Sequence, residues 1–276
     1  MDISPKKELL RFLAEDIGKE DISSKLLPRK KINAKIISRQ NGVIAGVKFA
    51  QDIFVLKGNK VTIIKKDSSK IKAGQIILEI AGPVYSILSC ERTALNLLSR
   101  MSGIATQTSN LVKKIKAVSS KTKLYATRKT APGLRYFDKE AVKIGGGEKH
   151  RMALDEMIML KDNHLLVSGS LSRIISKARK KYKTVEVEVE NQEDSLLAAL
   201  SGATIIMLDN FNPKEISKTI SNLKKAKLRN RVLLEASGGI NAKNIQAFAK
   251  SGVDMISVGE ITNSVIGIDL SLEIYS

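Results

Sequence analysis

From Lys121 onward the chain alternates short strand-like segments with amphipathic helical segments, and this alternation limits the possible folds more than any other feature. The strand candidates are 123–128, 156–161, 184–190, 204–209, 231–236 and 254–259. Helix-like segments such as 170–182 and 212–226 lie between most of them. Strands that alternate with helices form parallel sheets with right-handed crossovers. Since these units are too few for a complete eight-stranded barrel, the pattern predicts an incomplete β/α barrel, with an open doubly wound sheet as the alternative.

The first hundred residues follow a different pattern. The predicted elements are a helix over 6–14 and strands over 32–40, 60–67 and 75–82. Residues 85–118 keep apolar residues three and four positions apart, which predicts one long helix, or two joined helices with Gly103 as a candidate kink. The sequence therefore predicts an α+β, sandwich-like amino-terminal domain over 1–106 and a partial β/α barrel of about six parallel strands over 107–276.

Composition excludes several classes of protein. The chain is 43% hydrophobic, which is sufficient for a sizeable core, and it contains no apolar run of about eighteen residues, the length that a membrane helix needs. Glu8 and Glu15 interrupt the amino-terminal segment before a signal-peptide core could form. Cys90 is the only cysteine, which suits a reducing compartment. We expect no membrane association and a cytoplasmic location.

The formal net charge of +19 raises the question of nucleic acid as a partner. Clustered cations bind nucleic acid by releasing phosphate counterions. Here the lysines are spread along the chain, tryptophan is absent and aromatic residues make up only 4%, so few side chains remain for base stacking. We therefore expect no nucleic-acid partner; a lysine-rich proteome or a thermophilic surface would account for the charge.

Charged and glycine residues follow the predicted strands at the ends where a barrel carries its chemistry. They are Arg128 and Lys129 after the first strand, Lys161 after the second, Glu188 or Glu190 at the third, Asp209 at the fourth, Ser237, Gly238 and Gly239 after the fifth, and Gly259 after the sixth. Together with His150 and Arg151, the cations predict a site for a polyanion, because guanidinium groups bind carboxylates or phosphates at two points. The glycine turns resemble phosphate-binding loops, although a glycine pair alone is a weak signal.

The segment 184–190 places three glutamates on one face of its strand and three valines on the other. In a central parallel strand both faces are covered, so an inward carboxylate is costly unless it meets a metal, a cation or a ribose hydroxyl. Asp209 ends the neighbouring strand. Two carboxylates on adjacent strand ends are typical of a Mg²⁺ or sugar-hydroxyl site.

Seven segments together resemble the quinolinate phosphoribosyltransferases, the decarboxylating enzymes of NAD synthesis. They are ERTALNLLSRMSGIAT (91–106), ATRKTAPGLR (126–135), GGGEKHRMALDEMIMLKDNH (145–164), VEVEVEN (185–191), MLDNF (207–211), EASGGI (235–240) and ISVGEIT (256–262). They cover most of the chain in the order that the family has.

The resemblance implies a reaction in which quinolinate and phosphoribosyl pyrophosphate, with Mg²⁺, give nicotinate mononucleotide, pyrophosphate and carbon dioxide. It implies a homodimer or higher homo-oligomer in which one subunit's amino-terminal domain caps the partner's barrel. The quinolinate carboxylates would be held by Arg128, Lys129, His150, Arg151 and Lys161, with Arg92 reaching in from the neighbouring subunit. Thr127 would also be a substrate-binding residue. Glu188 and Asp209 would bind the ribose hydroxyls or the metal. Ser237, Gly238 and Gly259 would contact the 5′-phosphate.

Within that resemblance, four residues are expected to be catalytic: Lys129, Lys161, Glu188 and Asp209. Either lysine would stabilise charge during loss of the carboxylate, and the sequence does not assign which. The chain departs from the family pattern at Glu20, where glycine is usual, and at Asn263, where many members have a phosphate-contacting histidine. Two alternatives remain. One is a related phosphoribosyltransferase or molybdenum-locus homologue with another substrate, and the other is a phosphate- or nucleic-acid-binding protein without activity.

Overall fold

The structure, a computed structural model, describes residues 4–275, and these divide into two compact units. The first unit runs to Ser109 and also contains Pro132–Gly146 and the chain from Ser264, whereas the second consists of Asn110–Ala131 and Gly147–Asn263. The sequence predicted a single domain boundary, between residues 106 and 107. The compact units depart from that single division because two later segments pack with the first unit.

The first unit combines an antiparallel sheet with helices. Its elements are α1 (Pro5–Ile17), a 3₁₀ turn (Ser24–Leu26), β1 (Lys31–Ser38), β2 (Gly42–Val43), α2 (Val47–Leu56), β3 (Lys60–Ile63), β4 (Lys70–Ile71), β5 (Ile76–Pro83), most of α3 (Val84–Lys116), α4 (Arg135–Ile144) and β12 (Leu270–Tyr275). Four strands form a sheet in the order β12-β1-β5-β3, and β2 pairs with β4. The predicted α+β class of this part is therefore confirmed.

Two late segments belong to the first unit for identifiable reasons. Strand β12 pairs antiparallel with β1, from Asn33 opposite Tyr275 to Ser38 opposite Leu270. Helix α4 contributes Phe137, which is fully buried and whose ring lies 5.5 Å from that of Phe12 and 5.0 Å from that of Phe49. Both segments bury apolar surface against partners distant in sequence, which local patterns do not reveal.

The second unit contains the predicted parallel sheet. Its elements are β6 (Lys123–Tyr125), β7 (Ile158–Leu160), α5 (Asp162–Ser168), α6 (Leu171–Arg179), β8 (Val185–Val189), α7 (Gln192–Leu200), β9 (Ile205–Asp209), α8 (Pro213–Lys225), a 3₁₀ turn (Arg229–Arg231), β10 (Leu233–Ser237), α9 (Ile245–Lys250), β11 (Met255–Ser257) and α10 (Glu260–Asn263). The six strands are parallel, in the order β6-β11-β10-β9-β8-β7.

This strand order is that of a barrel with one gap. From β7 to β11 each strand lies beside its neighbour in the sequence, and the last strand, β11, returns to pair with the first, β6. A doubly wound sheet would instead reverse its order at a switch point. Because β6 and β7 occupy the two edges of the sheet, the predicted incomplete barrel of six strands is confirmed.

Helix starts in the second unit follow from capping residues. Asn212 accepts hydrogen bonds from the backbone N–H groups of Lys214 and Glu215, and the Glu215 carboxylate accepts one from the Asn212 N–H. Asn191 caps α7 in the same way by accepting from Asp194 N–H. These caps satisfy backbone donors that a helix leaves open, and so they fix where each helix leaves its strand.

Two residues noted in the sequence have a structural explanation. Cys90 is fully buried, and this burial raises the pKa of its thiol to about 11, so the thiol is a packing group. Gly103 lies inside α3, which is one continuous helix from Val84 to Lys116. A Cβ at Gly103 would lie within contact distance of the Ile266 carbonyl and only 3.0 Å from Gly267 Cα. The glycine is therefore explained by a close backbone approach. None of the helices described is both long and apolar enough to cross a membrane.

Gly103→Ala should destabilise the protein, although glycine to alanine in a helix interior normally stabilises by about 1 kcal/mol. The added methyl group must push the 266–267 backbone away, which should cost about 2 kcal/mol net of the helix gain. Urea unfolding followed by circular dichroism measures the change. Lys113→Ala, at an exposed position of the same helix, is the control. Equal or greater stability of the Gly103 variant would contradict the close-approach explanation.

Candidate active site

A cavity of about 740 Å³ lies at the carboxyl ends of the parallel strands of the second unit. Of the site residues predicted from the sequence, all but Arg92 line it: Thr127, Arg128, Lys129, His150, Arg151, Lys161, Glu188, Asp209, Ser237, Gly238 and Gly259. Arg92 is exposed on α3, in the first unit. The cavity therefore brings together cations, carboxylates and glycine turns from seven separate stretches of chain.

Two arginines form the cationic core of the cavity. Burial and the neighbouring charge of Arg128 lower the pKa of Arg151, so the two guanidinium groups are close enough to repel each other. Arg151 donates to Met157 O at 3.2 Å, and its other terminal nitrogen lies 3.1 Å from the Met159 sulfur. Arg128 Nε is buried and has no hydrogen-bond partner within residues 4–275. Two adjacent guanidinium groups of this kind favour a ligand with more than one negative charge.

Lys129 is held at the cavity mouth by its backbone. Its N–H donates to Thr127 Oγ1 at 3.1 Å, and the Thr262 hydroxyl donates to its carbonyl at 2.9 Å. Its side chain passes over Gly259, where an added Cβ would lie 3.2 Å from Lys129 Cδ. A side chain at position 259 would therefore displace the lysine.

The turn after β10 is formed by two glycines in the left-handed region, Gly238 at φ 91° and Gly239 at φ 61°. Gly238 packs so closely against the Asn210 side chain that an added Cβ would overlap it. Asn210 itself has φ 57°, donates its N–H to Ser237 O at 2.9 Å, and donates through Nδ2 to Asp209 Oδ2 at 2.7 Å. The turn and the Asp209 carboxylate are thus held by one residue.

Two carboxylates face the cations. Burial, followed by the charge of Glu188, raises the pKa of Asp209, so the two carboxylates repel each other. Glu188 forms an ion pair with Lys161 Nζ, and its side chain is only 13% exposed. Lys161 therefore offsets part of the negative charge on this side of the cavity.

His150 lies deeper than its charged neighbours suggested. Its two flanking cations argue against a core histidine, and although the side chain is only 7% exposed, the residue lines the cavity. Its Nε2 lies 3.3 Å from Glu235 Oε2 and 3.4 Å from Glu186 Oε2, and both glutamates are fully buried. Arg151 N–H lies 2.8 Å from its Nδ1. The ring thus bridges two inward carboxylates that can compensate its burial.

Burial lowers the pKa of His150, but hydrogen bonding to Glu186 and Glu235 and their charges outweigh this and raise it to about 9. The Arg151 N–H contact instead requires a lone pair on Nδ1, as in the neutral ring. A proton on Nε2 is common to both forms. The Nε2 edge therefore donates toward the glutamates in either state.

Sequence reasoning missed several residues of the site. Glu186 was noted only as part of an alternating run, and Glu235 was not considered. A usable signal existed, since each lies two residues before a predicted mouth residue, Glu188 or Ser237, and so points to the same side of its strand. Met159, Asn241 and Glu260 also line the cavity and carried no comparable signal. Asn263, noted as a departure from the family pattern, lines it as well.

The sequence suggests for His164 a helix-start or supporting role as readily as a contact with substrate. It lies in the first turn of α5, where its Nδ1 accepts the backbone N–H of Lys161 at 3.0 Å. This bond supports the helix-start role. It also fixes the chain at the point where Lys161 leaves β7.

Comparison with known proteins identifies the family. Residues 21–102 match the family model described as the quinolinate phosphoribosyl transferase N-terminal domain, and residues 104–273 match the corresponding C-terminal domain. A protein of Methanothermobacter thermautotrophicus named probable nicotinate-nucleotide pyrophosphorylase [carboxylating] is 42% identical over 97% of each chain. The rat nicotinate-nucleotide pyrophosphorylase [carboxylating] is 35% identical over 96% of this chain and 89% of its own.

Solved structures agree with the sequence matches. The nicotinate-nucleotide pyrophosphorylase of Francisella tularensis superposes with a TM-score of 0.91 at 39% identity, and the match covers 99% of this chain and 98% of that one. Since the family models and the relatives cover nearly the whole sequence, the chain belongs to the quinolinate phosphoribosyltransferase family.

Proposed function

We propose that the cavity at the carboxyl ends of β6 to β11 is where the family's reaction takes place in this chain. In that reaction a phosphoribosyl group passes from phosphoribosyl pyrophosphate to quinolinate, and carbon dioxide is lost, to give nicotinate mononucleotide and pyrophosphate. The word carboxylating in the relatives' names describes the same reaction read in reverse. The observation that carries the proposal is the cavity itself, where adjacent guanidinium groups face a carboxylate pair beside a glycine turn.

The quinolinate dianion would bind among the cations. Arg128 and Arg151 repel each other, so a dicarboxylate between them would remove an unfavourable interaction as well as form new ones. Lys129 and Lys161 line the same cavity and add compact charges. Thr127 and His150 would complete this part of the site. Four cations around a dianion leave charge for the phosphate groups of the second substrate.

The residues present fit a Mg²⁺ ion. Glu188 and Asp209 supply two carboxylates from neighbouring strands, and Mg²⁺ typically takes one or two, with water and substrate phosphate as the other ligands. Their mutual repulsion, seen in the raised pKa of Asp209, is what a divalent cation would relieve. When bound, the ion would supply positive charge to the pyrophosphate leaving group. The carboxylates not used by the ion are suited to accept hydrogen bonds from the ribose hydroxyls.

The turn Ser237-Gly238-Gly239 and the Gly259 backbone would hold the 5′-phosphate. Glycines in the left-handed region can offer backbone N–H groups to a phosphate without a side chain in the way, and Gly238 and Gly239 both line the cavity. Asn263 lines the same cavity and offers an amide, which donates a hydrogen bond but no charge. Because Asn263 carries no charge, we expect phosphate binding here to depend mainly on backbone donors and on the charge of Lys129.

The chemistry needs no nucleophilic side chain. The quinolinate nitrogen forms a bond to the ribose carbon as the bond from that carbon to pyrophosphate breaks, and positive charge develops on the sugar. Glu188 and Asp209 are placed to stabilise that charge. The pyridinium ring then accepts the electron pair left when the neighbouring carboxylate departs as carbon dioxide, and a proton replaces the carboxylate. Lys129 or Lys161 would stabilise the ring carbanion formed at this point.

The direct test is an assay with quinolinate, phosphoribosyl pyrophosphate and Mg²⁺, following nicotinate mononucleotide and carbon dioxide together. We expect equal amounts of both products. Turnover of nicotinate without turnover of quinolinate would assign the chain to a different phosphoribosyltransferase reaction. DNA binding with a steep salt dependence and no pyrophosphate release would instead support the non-enzymatic alternative.

We further propose that the protein acts in the cytoplasm as a homodimer, or a multiple of dimers, with shared sites. Three large apolar side chains of the second unit, Leu154, Leu166 and Val167, are 68%, 81% and 89% exposed. Leu166 and Val167 are adjacent in the sequence, and we propose that they belong to a surface that another chain covers. Arg92 is also exposed and would reach a partner's cavity, as the family resemblance implies. The single buried cysteine suits a reducing compartment.

Shared sites predict complementation between inactive subunits. Arg92→Ala and Lys129→Ala should each be inactive alone, because each removes a cation from every site. In a mixed dimer one of the two sites keeps both wild-type residues, so purified mixed dimers should have about half of wild-type activity. The measurement is turnover after co-expression with two different affinity tags and sequential purification. Purified mixed dimers without activity would argue against a site shared in this way.

A further inference from the structure

We propose that Glu186 and Glu235 are positioning residues of the quinolinate site: they hold the His150 imidazole through Nε2 and thereby fix the turn that presents Arg151 to the cavity. The inference depends on the proposed function, because it assigns Arg151 to substrate binding. It departs from the role that the family resemblance gives His150, which is direct contact with a quinolinate carboxylate. Nothing in the proposed chemistry above uses either glutamate.

The His150 ring contacts glutamate side chains from two different strands. Glu186 lies on β8 and Glu235 on β10, on either side of β9, with Glu186 opposite Ile205 and Glu235 opposite Met207. Both reach Nε2 from the sheet side, at 3.4 Å and 3.3 Å. The edge of the Tyr125 ring supports the imidazole, with centroids 5.8 Å apart and planes at 82°. The ring is thus held on several sides by the second unit.

Burying the two glutamates costs free energy, which argues that they have a role in the site. Both are fully buried; Glu186 Oε1 and Glu235 Oε1 have no hydrogen-bond partner among the described residues, and Glu186 Oε2 has there only the long 3.4 Å contact with His150 Nε2. Inward carboxylates of this kind are kept only where a cation or donor offsets their burial. His150 is the donor that both share, and Arg151 adds an attractive charge to Glu186. Burial raises the pKa of Glu186, and the charge of Glu235 adds to this rise, whereas His150 and Arg151 act against it. The ionised form of the pair therefore depends on these two neighbours.

The backbone links the position of the His150 ring to the position of Arg151. His150 has φ 54°, in the left-handed region that residues other than glycine rarely adopt. Such strain persists only where surrounding contacts over-determine it. With Nε2 fixed by the glutamates, Nδ1 lies 2.8 Å from the Arg151 N–H and holds the next peptide in place. The guanidinium is then directed to Met157 O and into the cavity.

A pair of substitutions at His150 separates positioning through Nε2 from direct contact through Nδ1. The amide nitrogen of glutamine can reach the position of Nε2, whereas that of asparagine reaches only the position of Nδ1. Because asparagine tolerates positive φ better than glutamine, backbone preference favours the Asn variant and makes the comparison stringent. Glutamine keeps a donor at the position of Nε2 but loses the Nδ1 contact with the Arg151 N–H, so we expect the KM for quinolinate to rise about threefold in His150→Gln. Asparagine loses the contact with both glutamates, and we expect a rise of about tenfold or more in His150→Asn.

The KM for phosphoribosyl pyrophosphate should change by less than about twofold in both variants, because the turn after β10 is untouched. A general loss of folding would instead affect both substrates. The opposite order of the two variants, equal impairment, or no impairment in either would overturn the proposal. If the wild-type enzyme itself releases no pyrophosphate with quinolinate, the proposed function fails instead, so the two failures are distinguishable.

The glutamates are tested independently. Glu186→Gln and Glu235→Gln keep the side-chain shape and remove the negative charge, and each should raise the KM for quinolinate about tenfold without changing that for phosphoribosyl pyrophosphate. Glu193→Gln, at an exposed position of α7, is the matched control. Unchanged KM values in folded Glu186 and Glu235 variants would overturn the proposal. So would a stoichiometric transition metal found in the purified protein and lost from these variants, since the three residues would then be ligands.

Discussion

Lys161→Ala should lower kcat/KM for quinolinate by about 10³-fold while leaving the fold intact. The substitution removes a cation from the cavity, and it also removes the ion-pair partner of Glu188. Glu188 and Asp209, which already repel each other, would then face the substrates without that compensation. Both changes act against binding two polyanions, so the effect should exceed that of losing one surface charge. Steady-state kinetics with each substrate varied in turn measures it.

The control for this variant is Lys177→Ala, which removes an exposed lysine from α6. Circular dichroism and thermal unfolding should be unchanged in both variants. The ratio of carbon dioxide to pyrophosphate adds a second readout, because a lysine needed only for loss of the carboxylate should leave pyrophosphate release in excess. Wild-type kinetics in the Lys161 variant would remove this residue from the site.

The barrel was predictable because its signal is local. Each parallel strand is a short apolar run between amphipathic helices, and all six predicted strands overlap observed ones, from β6 at Lys123–Tyr125 to β11 at Met255–Ser257. Strand β12 was not predicted, since its partner, β1, lies more than two hundred residues earlier. The same holds for α4, whose Phe137 packs with the first unit through contacts that no periodicity encodes.

The cavity was predictable because a barrel collects its strand ends in one place. Residues that end or follow strands, such as Arg128, Lys161 and Asp209, could be named without knowing the fold in detail. How deeply each of these side chains is buried could not be predicted. His150 stands between two cations in the sequence, and only the positions of Glu186 and Glu235 on strands either side of β9 explain its burial. The burial of a side chain depends on which strands are neighbours, and the local spacing of residues in the sequence does not determine strand order.

Asp209→Asn should lower the activity of the enzyme without lowering its stability. We expect kcat to fall about 10²–10³-fold, because the carboxylate placed to face the developing positive charge is lost. The concentration of Mg²⁺ needed for half-maximal activity should rise, since Glu188 would remain as the only proposed carboxylate ligand. Activity measured across a Mg²⁺ series, with phosphoribosyl pyrophosphate in excess, tests both effects. Glu15→Gln, at an exposed position of α1, provides a carboxylate-to-amide control outside the residues that line the cavity.

The thermal midpoint of the same variant, measured without added metal, should not fall. In the wild type, burial and the charge of Glu188 both disfavour the ionised form of Asp209, and asparagine keeps the shape while removing that charge. Asn210 Nδ2 can still donate to the oxygen of an amide at this position. A carboxylate kept at a cost to stability is expected where function requires it. A marked loss of stability together with unchanged Mg²⁺ dependence would instead make Asp209 a structural residue.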